Sequence, residues 1–192
     1  NYYNANLFSN YYLDERIYGL DEWDCDDTAR EAMEELQDLY ERERDQFACR
    51  KEDQHISRWI EPVLETLGFA HASEATLPNG GGYVDRTLFG SDDELLAAEN
   101  GDSETFFARS LALLEAKQWG HDFEAEFGTD RQYRNASHQI KHYLEQTPDE
   151  VGWGVLTDGK KWRLYGTKEY EARTYYEVDL PELLERGDLE AV

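Results

Sequence analysis

One short run sets the architecture of this chain: Ser110-Leu111-Ala112-Leu113-Leu114-Glu115-Ala116-Lys117. Its consecutive apolar residues predict a β-strand that is covered on both faces and therefore lies in the middle of a sheet. Side chains alternate between the two faces along a strand, so Leu113, Glu115 and Lys117 share one side. We therefore expect a carboxylate and an ammonium to lie together where the apolar part of the strand ends.

Further strands are predicted on both sides of this run. Residues 83–89 alternate like a strand before Gly90, and they follow turn material at residues 78–82, so a hairpin or strand pair begins here. Residues 153–165 predict a hairpin that turns at Asp158-Gly159. Residues 175–179 predict a last strand. The acidic segment from Asp92 to Thr105 predicts a loop or a short helix.

Helical spacing of apolar residues appears in three places. Residues 29–40 repeat at this spacing after Asp26, Asp27 and Thr28, which we expect to cap the helix. Residues 56–67 form a second amphipathic pattern that ends at Gly68. Residues 135–146 predict a third helix, and a short acidic helix is expected after Pro181.

This order of elements predicts an α/β fold with a mixed central β-sheet flanked by helices and an N-terminal helical portion. We expect residues 1–70 to supply an N-terminal arm and helices that pack on the core. Residues 71–180 are predicted to form the core, and residues 181–192 a C-terminal helix or linker.

The chain is strongly acidic, with 43 Asp and Glu against 19 Lys and Arg and a formal net charge of −24. Aromatic residues make up 14% of it, which excludes a disordered acidic tail. The acids are spread along the chain and lysine is scarce, a pattern that indicates a halophile, because carboxylates stay hydrated in concentrated salt. A DNA mimic or a binder of basic proteins is the competing interpretation.

Several classes of protein receive no support. No apolar run of about 18 residues and no signal peptide occurs, so we expect a cytoplasmic protein without membrane contact. Cys25 and Cys49 form neither a zinc pattern nor a disulfide framework and are expected to be buried or incidental thiols. His138 and His142 lack a third metal ligand, so they indicate a surface position. The glycines at residues 80–82 lack a phosphate-binding frame, so they indicate a turn.

Charged residues converge at one end of the predicted sheet. Asp85 lies inside a predicted strand, and Glu115 and Lys117 end another. Two carboxylates beside a main-chain carbonyl form a hard oxygen site suited to Mg²⁺, and a nearby lysine can position or deprotonate a water that attacks phosphorus. Gln139 lies on the following helix, where it is either solvated or bonded to that phosphate or water. The alternative for Glu115 and Lys117 is an ion pair at a strand end, which contributes under about 1 kcal/mol if it is exposed.

A second acid-x-Lys triplet, Asp158-Gly159-Lys160, is set aside, because we expect side chains of a hairpin turn to extend into water. His55 has no obvious partner in the sequence.

In these motifs the chain resembles the PD-(D/E)xK nuclease superfamily, and more narrowly the N-terminal endonuclease region of type IIG-like restriction-modification enzymes. The resemblance lies in the following segments: Leu7 to Leu13, Ile60 to Leu64 with Leu67-Gly68-Phe69, Tyr83-Val84-Asp85, Leu113 to Lys117, Gln139 to Tyr143, and Gly152 to Tyr165. Together they extend over nearly the whole chain, and the last of them is the most distinctive.

The resemblance implies a restriction-endonuclease-like core that hydrolyses phosphodiester bonds in unmodified double-stranded DNA. It implies that Asp85 and Glu115 hold Mg²⁺, for which Mn²⁺ can substitute, and that Lys117 assists the water. Gln139 would be the helix glutamine of the family, and Glu52 its upstream acidic residue.

Two residues beside the expected aspartate depart from the family. Val84 replaces its usual proline, and Arg86 is a cation that would contact phosphate or pair with an acid. The resemblance also implies methyltransferase and target-recognition domains in the same longer polypeptide. A catalytically silent nuclease-like module for DNA binding or assembly is the alternative.

Overall fold

A mixed β-sheet of seven strands forms the centre of the computed structural model, which describes residues 2–166 and 171–187. The strands are β1 (Tyr2–Asn4), β2 (Ala70–Thr76), β3 (Tyr83–Phe89), β4 (Ala112–Ala116), β5 (Trp153–Thr157), β6 (Lys161–Tyr165) and β7 (Tyr176–Asp179). Their order across the sheet is β1-β7-β6-β5-β4-β3-β2. The β4–β5 pair is parallel, whereas the other neighbouring strands are antiparallel.

The helices lie on both faces of this sheet. They are α1 (Asp26–Glu43), α2 (Glu52–His55), α3 (Glu61–Thr66), α4 (Asp92–Glu99), α5 (Ser103–Ala108), α6 (Ala136–Glu145) and α7 (Leu180–Arg186). A π-helical turn, Ile56–Ile60, joins α2 to α3. The predicted fold class, a mixed sheet flanked by helices, is therefore confirmed. No helix within residues 2–166 and 171–187 has the length and apolar character needed to cross a membrane.

Strand β4 lies mid-sheet between β3 and β5, as its apolar sequence predicted, and all of its residues are buried. Its two faces belong to different parts of the core. Ala112 and Leu114 pack with the apolar residues of the π-helical turn and α3, whereas Leu113 packs with Ile140 and Leu144 of α6. The central strand therefore carries a layer of helices on each side.

The helical run from Glu52 to Thr66 confirms the predicted amphipathic helix, although it begins four residues before Ile56. The side chains of Trp59 and Ile60 are completely buried against the sheet. Gly68 ends the run with a φ of +86°, a left-handed conformation that favours glycine.

Helix α6 lies directly on β5. The Asn135 side chain caps it by accepting a hydrogen bond from the His138 amide at 3.0 Å. A Cβ atom added to Gly154 of β5 would come within 2.9 Å of Ile140 Cγ1. The absence of a side chain at Gly154 therefore brings α6, and with it Gln139, close to the sheet.

The N-terminal arm packs on the sheet. Strand β1 pairs with β7. The Phe8 ring lies 5.6 Å from that of Tyr12, 5.7 Å from that of Tyr176 and 6.2 Å from that of Trp153. The predicted division at residues 70 and 180 stays a prediction. Of the expected C-terminal segment, residues 188–192 lie outside the described residues.

One local expectation is wrong, and two others are met by one of their alternatives. Helix α1 begins at Asp26 with Cys25 in the capping position and no side-chain cap, so Asp26 and Asp27 do not cap it and instead lie in its first turn, where they interact favourably with the helix dipole. Cys25 and Cys49 are free and exposed, which leaves only the second of their two alternatives, incidental thiols. The acidic segment forms two helices, α4 and α5, which are capped by the side chains of Ser91 and Asp102.

Candidate active site

Strands β3 and β4 bring Asp85 and Glu115 to the same end of the sheet. The antiparallel register pairs Arg86 with Leu114, so its continuation by one residue places Asp85 opposite Glu115. Opposite residues of an antiparallel pair share a face. The ladder ends here, and the Asp85 Oδ2 atom instead accepts the Ala116 amide at 2.8 Å. The two carboxylates thus lie at a point where the strands separate.

Lys117 continues beyond the end of β4 and forms a buried ion pair with Glu115. Its Nζ atom lies 2.6 Å from Glu115 Oε1, and the two residues are 9% and 5% exposed. The Lys117 amide donates to the carbonyl of Thr157 at 2.8 Å, which fixes the backbone beside β5. The ion pair that was the alternative expectation is therefore present, and it is buried. Burying two charges carries a desolvation cost that a surface pair does not have.

The Glu115 carboxyl is strongly perturbed. Burial raises its pKa to about 8, against the lowering effect of the Lys117 charge. Its Oε2 atom is buried and has no hydrogen-bond partner. A cation held beside this oxygen would favour the ionised form of the carboxyl.

Glu52 lies at the start of α2, close enough to the strand ends for their charges to act on it. Burial raises its pKa, the Lys117 charge lowers it, and the Asp85 charge raises it again. The upstream acidic residue implied by the family resemblance therefore shares one site region with Asp85 and Lys117.

Gln139 of α6 is buried, with 4% of its surface exposed, so the expectation of a solvated side chain is wrong. Its Nε2 atom donates to the Tyr143 hydroxyl at 2.8 Å, and its Oε1 atom has no partner. Burial and the nearby Glu115 charge raise the pKa of Tyr143. The four-residue spacing of Gln139 and Tyr143 places them on one face of α6, whereas the proximity of Tyr143 to Glu115 follows from no local pattern.

Other residues singled out in the sequence lie outside this group. The Nε atom of Arg86 donates to Glu61 Oε1 at 2.7 Å, so it pairs with an acid, and its Nη1 atom donates to the backbone carbonyl of Asp85 at 2.5 Å. His138 is exposed. The turn residue Asp158 was expected to extend into water, which is wrong: it is 1% exposed. His55, for which the sequence showed no partner, contacts the carbonyl of Asp158.

The donor set fits a hard divalent cation. Among residues 2–166 and 171–187, no group of three or more His, Cys, Asp or Glu side chains is placed to hold a metal ion. The predicted set needs only two carboxylates, Asp85 and Glu115, because Mg²⁺ keeps several water ligands and commonly completes its shell with phosphate oxygens. The unpartnered Oε2 of Glu115 is an oxygen donor of the required kind.

Comparisons with protein-family models, curated proteins and solved structures found no match to this chain. The nuclease interpretation therefore depends on the motifs and the geometry described above.

Proposed function

We propose that this chain is a metal-dependent DNA endonuclease domain of a restriction-modification enzyme, which hydrolyses phosphodiester bonds in unmodified double-stranded DNA. One observation carries the proposal. Asp85 and Glu115 share the end of two adjacent central strands, with the Lys117 ammonium 2.6 Å from Glu115. Such a concentration of buried charge is costly to fold, and it matches the groups that phosphodiester hydrolysis requires.

In this proposal Asp85 and Glu115 hold Mg²⁺ or Mn²⁺. A divalent cation supplies Lewis-acid stabilisation of the charge that develops on phosphorus-bound oxygen. Lys117 orients the attacking water and adds a positive charge near the phosphate. The free Oε1 atom of Gln139 accepts a hydrogen bond from this water or another polar group of the substrate complex. Glu52 adds a further negative charge beside Lys117.

The net charge of −24 opposes DNA binding, since phosphate contacts normally come from Lys and Arg. We propose that methyltransferase and target-recognition domains of the same longer polypeptide supply most of the DNA affinity. Concentrated salt would screen the remaining repulsion. Tight binding of duplex DNA by residues 1–192 alone at physiological salt would contradict this division of labour.

A catalytically silent module is the second candidate. It is favoured by the engagement of one oxygen of each carboxylate inside the protein, since Asp85 Oδ2 accepts the Ala116 amide and Glu115 Oε1 the Lys117 ammonium. A silent module would bind DNA or a partner domain without taking up a divalent cation at these residues.

Metal binding separates the two candidates. Calorimetric titration of residues 1–192 with Mg²⁺ and Mn²⁺ in concentrated KCl should show binding that Asp85→Asn and Glu115→Gln both remove. Glu126→Gln is the matched control, because Glu126 is exposed and pairs with Arg134. Cleavage of plasmid DNA by the full-length polypeptide is the next test. Absence of binding at millimolar metal, with and without a short DNA duplex, would favour the silent module.

A further inference from the structure

The turn between β5 and β6 is buried against the helical run that carries Glu52. His55 and Trp59 are both completely buried. The His55 Nε2 atom lies 2.8 Å from the Asp158 carbonyl oxygen, and the Trp59 indole donates to the Gly159 carbonyl at 2.7 Å. These contacts join segments about a hundred residues apart, and they use only backbone acceptors of the turn.

Gly159 allows the turn to lie close to His55 and Trp59. Its φ is +83°, and a Cβ atom at this position would lie 2.2 Å from His55 Nε2 and 2.7 Å from Trp59 Cδ1. Any larger residue would therefore both strain the backbone and push the helix away. The backbone of the turn lies directly against the His55 ring.

The same histidine also joins the helix to the loop that follows Lys117. Its ring lies edge-on to those of Phe47, at 5.7 Å, and Trp119, at 5.8 Å. Phe47 and Trp119 stack at 4.1 Å. The Asp158 side chain accepts the amide of Gly120 from this loop at 2.9 Å. The Asp158–Gly159 turn and the aromatic rings thus contact both the helix that begins at Glu52 and the loop that follows Lys117.

We propose that the Asp158–Gly159 turn and the His55 imidazole form a clamp that holds the first turn of α2 and so positions Glu52 beside Lys117 and Asp85. The inference rests on the proposed function and names His55 as a positioning residue that does not touch the reacting atoms. Residues three apart on a helix share a face, so His55 fixes the direction in which Glu52 points.

The ring is held as a neutral donor. Burial lowers the pKa of His55, and its Nδ1 atom has no hydrogen-bond partner. The tautomer with hydrogen on Nε2 donates to the Asp158 carbonyl, a role that the amide of a glutamine can reproduce. His55→Leu removes this donor, whereas His55→Gln retains one.

A double-mutant cycle on Mn²⁺ affinity tests whether His55 acts through Glu52. Orienting residues behind a metal site typically contribute about 10- to 100-fold in affinity. In calorimetry we expect His55→Leu to weaken Mn²⁺ binding within that range, and His55→Gln to restore most of it. The Glu52→Gln/His55→Leu double variant should bind no more weakly than Glu52→Gln alone. Additive losses would overturn the inference, because a general loss of stability does not depend on Glu52.

Amide hydrogen exchange without metal provides an independent readout. The His55 amide donates to the Lys51 carbonyl at 2.9 Å, so exchange in the peptide 50–57 reports on the first turn of α2. We expect His55→Leu and Gly159→Ala to speed exchange in this peptide and leave α6 unchanged.

Gly68→Ala is the matched control for Gly159→Ala. Gly68 has a similar φ, +86°, but no atom lies within 4 Å of the added Cβ. Equal exchange in the two alanine variants, or no change in either, would overturn the clamp. If the wild-type chain takes up no Mn²⁺, the proposed function fails while the exchange result still decides whether the clamp holds α2.

Discussion

Replacement of Arg163 by methionine tests how much one buried cation contributes to the fold. Arg163 lies on β6 with 7% of its side chain exposed. Its Nε atom lies 2.7 Å from Glu177 Oε2, and its Nη1 atom lies 2.7 Å from Glu124 Oε1 and 3.1 Å from Ser137 Oγ. The guanidinium also stacks over the Tyr175 ring at 3.8 Å.

The expected cost follows from the exposure of the two acids. Glu124 is 57% exposed and regains water when Arg163 is lost, whereas Glu177 is only 15% exposed and stays unpaired. Removal of one partner of a buried ion pair costs about 3–5 kcal/mol. We expect Arg163→Met to lower the free energy of unfolding by about 3 kcal/mol, since only Glu177 is left buried without its partner. Adding Glu177→Gln should recover part of this loss.

Urea unfolding at fixed high KCl measures these differences. Arg134→Met is the control, because Arg134 and Glu126 pair at the same 2.7 Å but are 68% and 67% exposed. An exposed pair contributes under about 1 kcal/mol. Equal losses for Arg163→Met and Arg134→Met would refute the argument from burial.

Three further predictions concern the site, the clamp and the surface. Lys117→Ala should lower plasmid cleavage about 100-fold or more, because it removes a charge aimed at the phosphate, while circular dichroism stays unchanged. The contribution of His55 to the unfolding free energy should be constant above about pH 6.5 and fall at lower pH, and it adds to the opposite slope that the raised pKa of Glu115 causes up to about pH 8. Burial lowers the pKa of folded His55, so the unfolded chain binds the proton first. This loss reaches at most about 1.4 kcal/mol per pH unit and should shrink in His55→Gln. The melting temperature should rise between low and multimolar KCl, because salt screens the repulsion among 43 acids.

Each of these three predictions has an outcome that would contradict it. Retained cleavage in the Lys117 variant would remove that residue from the mechanism. A pH profile that is the same with histidine and glutamine at position 55 would show that another group causes the slope. A melting temperature independent of KCl would contradict the halophile interpretation.

Local patterns predicted the centre of the sheet well. The apolar run from Leu111 to Ala116 predicted a buried strand, and the Asp158-Gly159 pair predicted the β5–β6 hairpin. Strand β1 was not predicted, since three residues are too few for a period. Strand β2 was expected only as an unplaced partner of β3, because its burial does not alternate regularly.

The candidate site shows where local reasoning stops. Alternation along β4 predicted that Glu115 and Lys117 share a face, but no local pattern could predict their burial, which depends on tertiary packing around the end of the strand. The surroundings of Asp158 were predicted wrongly for the same reason. Its neighbours His55 and Trp59 come from about a hundred residues upstream and bind backbone carbonyls, which leave no signature in side-chain sequence.

The parallel pairing of β4 with β5 has a consequence for the synthesis of this protein. The side chains proposed to act in catalysis lie between Glu52 and Gln139, so the ribosome completes all of them before Trp153. Until β5 arrives, β4 has a free edge, and no turn holds the first helix of the site. A nascent chain therefore carries every reactive group without the framework that arranges them. If the domain cuts DNA, it becomes able to do so only after β5 and the turn that follows it have been synthesised.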